Sequence, residues 1–141
     1  MEFYTYRLPN GIRGIHRQVK GAVAHCALVV DAGSRDERTD EYGLAHFTEH
    51  AFFKGTQRRR AWQVNCRLEN LGGELNAFTT KEDTTIHATT LRSDFPKAAE
   101  LIVDVAFRSV YPDRELEREK EVIADEINTY KDSPADMIYD T

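Results

Sequence analysis

Apolar and polar residues change their period several times along this chain, and each change marks an element. Phe3 to Leu8 and Ile12 to Arg17 flank Pro9-Asn10-Gly11 and predict strand, tight turn, strand, because Asn-Gly supplies the positive backbone angles that hairpins need. Ala22 to Ala32 is a run of small and β-branched residues ending at Gly33-Ser34, which predicts a buried strand leading into the polar loop Ser34 to Glu41. From Gly43 to Phe53 the residues Leu44, Ala45, Phe47, Ala51 and Phe52 recur at helical spacing, and Lys54-Gly55-Thr56 stops the run. Val64, Leu68 and Leu71 line one side of a second helix from Ala61 to Asn70, which ends at Gly72-Gly73.

Two-residue alternation then returns. Leu75 to Thr79 and Thr84 to Leu91, both rich in threonine, predict neighbouring strands joined by Lys81-Glu82-Asp83. Ala98, Leu101, Ile102, Val105 and Ala106 mark a helix over Asp94 to Val110, with Ser93 as its cap and Tyr111-Pro112 as its end. The last helix runs from Asp113 to about Tyr130, its apolar face carried by Val122, Ile123, Ile127 and Tyr130. Hairpin, strand, two helices, two strands and two helices make an α+β domain, with helices packed on a mainly antiparallel sheet.

Two acids break the last helix's pattern. Glu119 and Glu126 fall on its apolar face, whereas Glu117, Glu121 and Asp125 point to solvent. A carboxylate buried without a partner costs several kcal/mol, so this pair needs either a metal ion or lysine and arginine partners.

Composition narrows the class. With 141 residues, 40% hydrophobic and a net charge of −5, the chain suits one globular domain and gives no basic surface for nucleic acid. Arg58-Arg59-Arg60 is its one basic run and reads as a solvated loop. Cys26 and Cys66 fit no metal or redox spacing and read as buried free thiols. Neither a secretory leader nor a membrane-length apolar stretch is visible, which makes a cytoplasmic location the default expectation.

The chemistry concentrates in His46-Phe47-Thr48-Glu49-His50. Two histidines four apart on a helix share one face, so both imidazoles reach one metal ion at zinc-ligand spacing. Glu49 lies close to that face, where a carboxylate can take a proton from a water activated by the metal. The order H-x-x-E-H is the inverzincin signature. His25 and His87 sit in strand segments and read as packed side chains.

These residues resemble the N-terminal domain of the pitrilysin and insulinase zinc peptidases, a family that includes processing peptidases. In that family a zinc-binding glutamate follows the motif at a distance that Glu126 matches, and Glu119 matches an acid kept on the same helix. Leu8-Pro9-Asn10-Gly11-Ile12-Arg13 is similar to the family's opening hairpin, and Ala32-Gly33-Ser34-Arg35-Asp36-Glu37 to its loop before the metal helix. Gly43-Leu44-Ala45-His46 and Phe53-Lys54-Gly55-Thr56 bracket the motif in the family's manner. The run Leu68 to Thr79 resembles the segment whose asparagine contacts substrate backbone, so the resemblance gives Asn76 that role and makes Asn76, Ala77 and Phe78 the substrate strand. Near Ile86 and His87 the family commonly carries an aromatic residue that this chain lacks.

What the resemblance implies is a zinc metalloendopeptidase in which His46, His50 and Glu126 hold Zn2+, Glu49 is the general base, and Glu119 bonds a ligand histidine. Residues 1–141 would be an incomplete N-terminal domain, lacking the remainder and a second, similar domain, and would cleave peptides weakly or not at all alone. Its partners would be a peptide or small protein substrate and the missing half, on the same chain or another subunit. Two other readings remain open: a non-catalytic zinc-binding or partner subunit of a processing-peptidase-like complex, and a closed structural zinc site with His87 as fourth ligand.

Overall fold

The computed structural model describes residues 2–132. Strand β1 (Tyr4–Arg7) pairs antiparallel with β2 (Arg13–His16), apart from the main sheet. Their loop is closed by Gly11 N–H donating to the Leu8 carbonyl at 2.9 Å. Gly11 alone takes a positive φ, +94°, while Asn10 instead offers its side-chain oxygen to the Ile12 amide at 3.2 Å. A single left-handed glycine after a turn is the three-residue hairpin solution.

The main sheet has the order β3 (Val23–Val30), β5 (Thr84–Leu91), β4 (Glu74–Thr79), all antiparallel. Thus β3 is an edge strand and is not buried as its apolar run predicts: Val23, Val29 and Val30 are exposed, and only Cys26 and Leu28 pack against the core. Burial follows the strand's pleat, since the described helices that touch the sheet pack on one face of it. Cys26 and Cys66 are free and half-buried.

Helices α1 (Leu44–Ala51), α2 (Ala61–Glu69) and α3 (Phe95–Arg108) pack on that face, and α4 (Asp113–Lys131) lies along α1. Phe52, Val64, Leu68, Ile86, Ala88, Leu101, Ile102 and Val105 form the core between sheet and helices. Helix α2 stops where Gly72 turns left-handed at φ +70°, and a Cβ on Gly73 would stand 2.7 Å from the Thr89 carbonyl oxygen. Both glycines of the pair are therefore needed, one for its angle and one for its lack of a side chain.

Ser93 does not cap α3. A short 3-10 turn (Arg92–Asp94) precedes the helix, and the Ser93 hydroxyl lies 3.3 Å from the Asp94 carboxylate. Pro96 in the first turn supplies a start that needs no amide donor. Ser133 and the residues after it lie outside the described residues.

Candidate metal centre

Helix α1 is set at its N-terminus by a side chain from the preceding loop. Glu37 accepts hydrogen bonds from the backbone N–H of Gly43 at 2.9 Å and of Ala45 at 2.7 Å. Those amides have no partner inside the helix, and a carboxylate there both satisfies them and opposes the helix dipole. Glu37 thereby fixes the start of the helix that presents His46, Glu49 and His50.

At the far end, the backbone after α1 is tied to α3. Gly55 and Arg60 form a β-bridge, Thr56 bridges Ser109, and the Val110 N–H donates to the Gly55 carbonyl at 3.2 Å. Beneath them Asp104, fully buried on α3, accepts from Thr56 Oγ1 at 2.8 Å and Arg59 at 2.6 Å. Arg59 also forks onto Glu100, with nitrogen to oxygen distances of 3.1 and 2.7 Å. The basic run is therefore not a solvated loop throughout: Arg59 is an internal anchor that sequence reading missed. An acid at position 104 between Val103 and Val105 was the available signal.

Between these two fixed ends the imidazoles meet α4. His46 Nε2 and His50 Nε2 are 3.1 Å apart, and Glu126 Oε2 is 3.5 Å from the first and 3.4 Å from the second. Donor atoms placed about 2.1 Å from a tetrahedral ion stand about 3.4 Å apart, so this triangle fits one ion. Among the described residues, His46, His50 and Glu126 form the group able to hold a metal. His87 is not in it: it sits on β5 between Ala27 and Asn76, on the sheet face opposite Ile86 and Ala88.

The two acids of α4 differ in environment. Glu119 is buried, whereas the Glu126 side chain is 48% exposed, so only one of the pair looks inward as the helix pattern predicts. Val122 and Ile127 on the same helix are also exposed. Glu119 Oε1 is 2.8 Å from His50 Nδ1, and Oε2 is 2.5 Å from Lys54 Nζ. Burial alone would push the Glu119 carboxyl up, but the hydrogen bonds and charges of Lys54 and His50 outweigh it and hold the group below its ordinary value. Lys54, read from sequence only as part of the helix stop, was discoverable as the third member of the series 46, 50, 54 at four-residue spacing.

Glu49 is half-buried on α1, and no hydrogen bond or ion pair among the described residues engages its carboxylate. The predicted substrate strand is β4, which among the described residues pairs on one edge only, with β5. Asn76 and Phe78 are exposed, while the Ala77 side chain is buried, so Ala77 offers a peptide only its backbone. The Ala77 N–H donates to Asn76 Oδ1 at 2.9 Å.

Helix α1, carrying H-x-x-E-H, thus meets a glutamate from a distant helix on an α+β scaffold, an arrangement suited to metallopeptidase chemistry. Comparison with known proteins is specific: residues 15–141 match the profile of Insulinase (Peptidase family M16), and the chain belongs to that family. It is 36% identical over 137 residues to the mitochondrial-processing peptidase subunit beta of Saccharomyces cerevisiae, covering 96% of this chain and 30% of that protein. It is also 36% identical over 137 residues to the uncharacterized zinc protease YmxG of Bacillus subtilis, covering 96% of this chain and 33% of that one. The crystal structure of a protease from Helicobacter pylori superposes with a TM-score of 0.93 at 26% identity, over 98% of this chain and 34% of the other. The chain thus spans about a third of the length of these relatives. No described helix is long and apolar enough to cross a membrane.

Proposed function

We propose that this chain carries the zinc centre of a metalloendopeptidase, with His46, His50 and Glu126 as ligands and Glu49 as general base. The observation that carries the reading is the convergence of those three ligand atoms on one point, spaced as a single tetrahedral ion requires. A bound Zn2+ would polarise the scissile carbonyl and acidify the attacking water. Glu49, with no competing partner among the described residues, takes the proton of that water and returns it to the leaving amine. Glu119 keeps the His50 ring oriented through Nδ1. An extended peptide adds to the edge of β4 that is unpaired among the described residues, with Asn76 and Phe78 beside it.

Residues beyond these 141, in a second domain or a partner subunit, would complete the substrate chamber. The half-exposed Glu126 and the exposed Val122 and Ile127 of α4 support this, as does the yeast relative's name as a subunit. That name also keeps a second reading alive, in which the chain binds zinc as a non-catalytic subunit.

Metal analysis with peptide hydrolysis, with and without the complementary portion of the peptidase, tests both. The expected result is one zinc per chain, lost or weakened in Glu126→Gln, and a Glu49→Gln variant that keeps zinc but turns over about 10²- to 10⁴-fold more slowly. Undiminished zinc in Glu126→Gln would remove the ligand assignment, and undiminished turnover in Glu49→Gln the base. Zinc without turnover in the complete assembly would favour the subunit reading.

A further inference from the structure

We propose that Lys54 is a positioning residue of this centre: acting through Glu119, it holds His50 as the Nδ1–H tautomer and leaves Nε2 as a bare electron pair facing His46 and Glu126. The proposal rests on the metal-site reading above and concerns how the ligand is prepared. Lys54 has only donors, so Glu119 Oε2 must accept in their 2.5 Å contact. A carboxylate paired in this way accepts at both oxygens, so in the 2.8 Å contact at Oε1 the proton belongs to His50 Nδ1. A neutral imidazole carries one ring proton, so Nε2 is then free of hydrogen, which is the form that binds a metal.

Geometry makes Lys54 the residue suited to this. Its amide still donates to the Ala51 carbonyl at 3.2 Å, so its Cα continues the last turn of α1. Immediately afterwards Gly55 turns at φ +121°, and Thr56 is locked to Asp104. The backbone on both sides of Lys54 is therefore fixed, and its side chain is only 24% exposed. With an apolar residue at 54, Glu119 Oε2 would lack its donor in a buried site. Nothing would then hold Oε1 as a fixed acceptor for Nδ1.

A lysine that served only as a counter-ion would change stability but not the tautomer, and this separates the two roles. The test labels histidine with 15N in the metal-free chain and records long-range 1H–15N spectra at a pH where imidazoles are neutral, with His50 assigned by His50→Gln. Zinc affinity is measured alongside by chelator competition. Wild type is expected to show His50 solely as the Nδ1–H form. Lys54→Met is expected to mix in the Nε2–H form and to bind zinc about 10-fold more weakly, as loss of an outer-shell partner typically does. Lys54→Arg should restore both.

A Lys54→Met chain that keeps the single tautomer and binds zinc within about 2-fold of wild type, whatever its melting temperature, would overturn the proposal. Should Lys54→Met fail to fold, the comparison moves to the Glu119→Gln background, where no buried carboxylate is left unpaired. There Lys54→Met should change zinc affinity less than about 2-fold, and a further 10-fold loss would show that Lys54 does not act through Glu119. If wild type binds no zinc, the metal reading fails, and the tautomer in the metal-free chain still decides the role of Lys54.

Discussion

At the scale of single residues, buried charge is placed economically: Glu119 grips the last turn of α1 through His50 and Lys54, and Asp104 the backbone just after it through Thr56 and Arg59. Asp104 is held below its ordinary value although burial pushes it up, because hydrogen bonds from Thr56 and Arg59 and the charges of Arg59 and Arg108 outweigh desolvation. A carboxyl depressed by folding contributes stability that is complete above its unfolded value, about 3.9, and is lost as pH falls through its lower folded value. Asp104→Asn should therefore cost about 3–5 kcal/mol at neutral pH, because Arg59 loses a buried partner. The gap between variant and wild type should narrow in strong acid, and urea unfolding at both pH values measures it. The histidines of α1 and both acids of α4 were legible in the sequence because spacing alone puts them on helix faces. Arg59 was not, since a run of three arginines looks the same whether or not its middle member turns inward.

At the scale of elements, the pattern located every α-helix and strand of the described residues, with ends shifted by a few positions, but read the short 3-10 helix Ser34–Asp36 as loop. What it missed was support between elements. The loop before α1 reads as polar and featureless, yet Glu37 in it closes the helix start through two backbone bonds. No local signal reveals this, because the acid caps a helix that begins seven positions later. Glu37→Ala is expected to lower stability by about 1 kcal/mol, with Glu37→Gln retaining part of it as an uncharged acceptor. Chemical denaturation of the two variants side by side checks this. The exposure of β3 was likewise hidden, since an apolar run does not say how many faces of a sheet are covered.

At the scale of the whole molecule, the candidate ligands come from α1 and α4, with two strands of the sheet and two helices between them in sequence. An ion bound by all three would prefer the folded chain by RT ln(1 + [Zn]/Kd), about 2.7 kcal/mol at a hundredfold excess over Kd. Thermal melting should accordingly rise on adding zinc and fall back with a chelator, and Glu126→Gln should blunt the rise. The α+β class and the family were both readable beforehand because their motifs recur in the correct order along the chain. The openness of the centre was not, because exposure depends on what lies over α4.

The bond between His50 and Glu119 also closes a long circuit of chain, from the second helix turn of one half to the first turns of the last helix. Closing such a loop costs entropy that only the intervening contacts repay, so this bond belongs to the completed structure and not to any local fragment of it. A ring-proton signal of His50 held by Glu119 would therefore be a clock for folding: its appearance during refolding would mark the moment at which α1 and α4 have found each other.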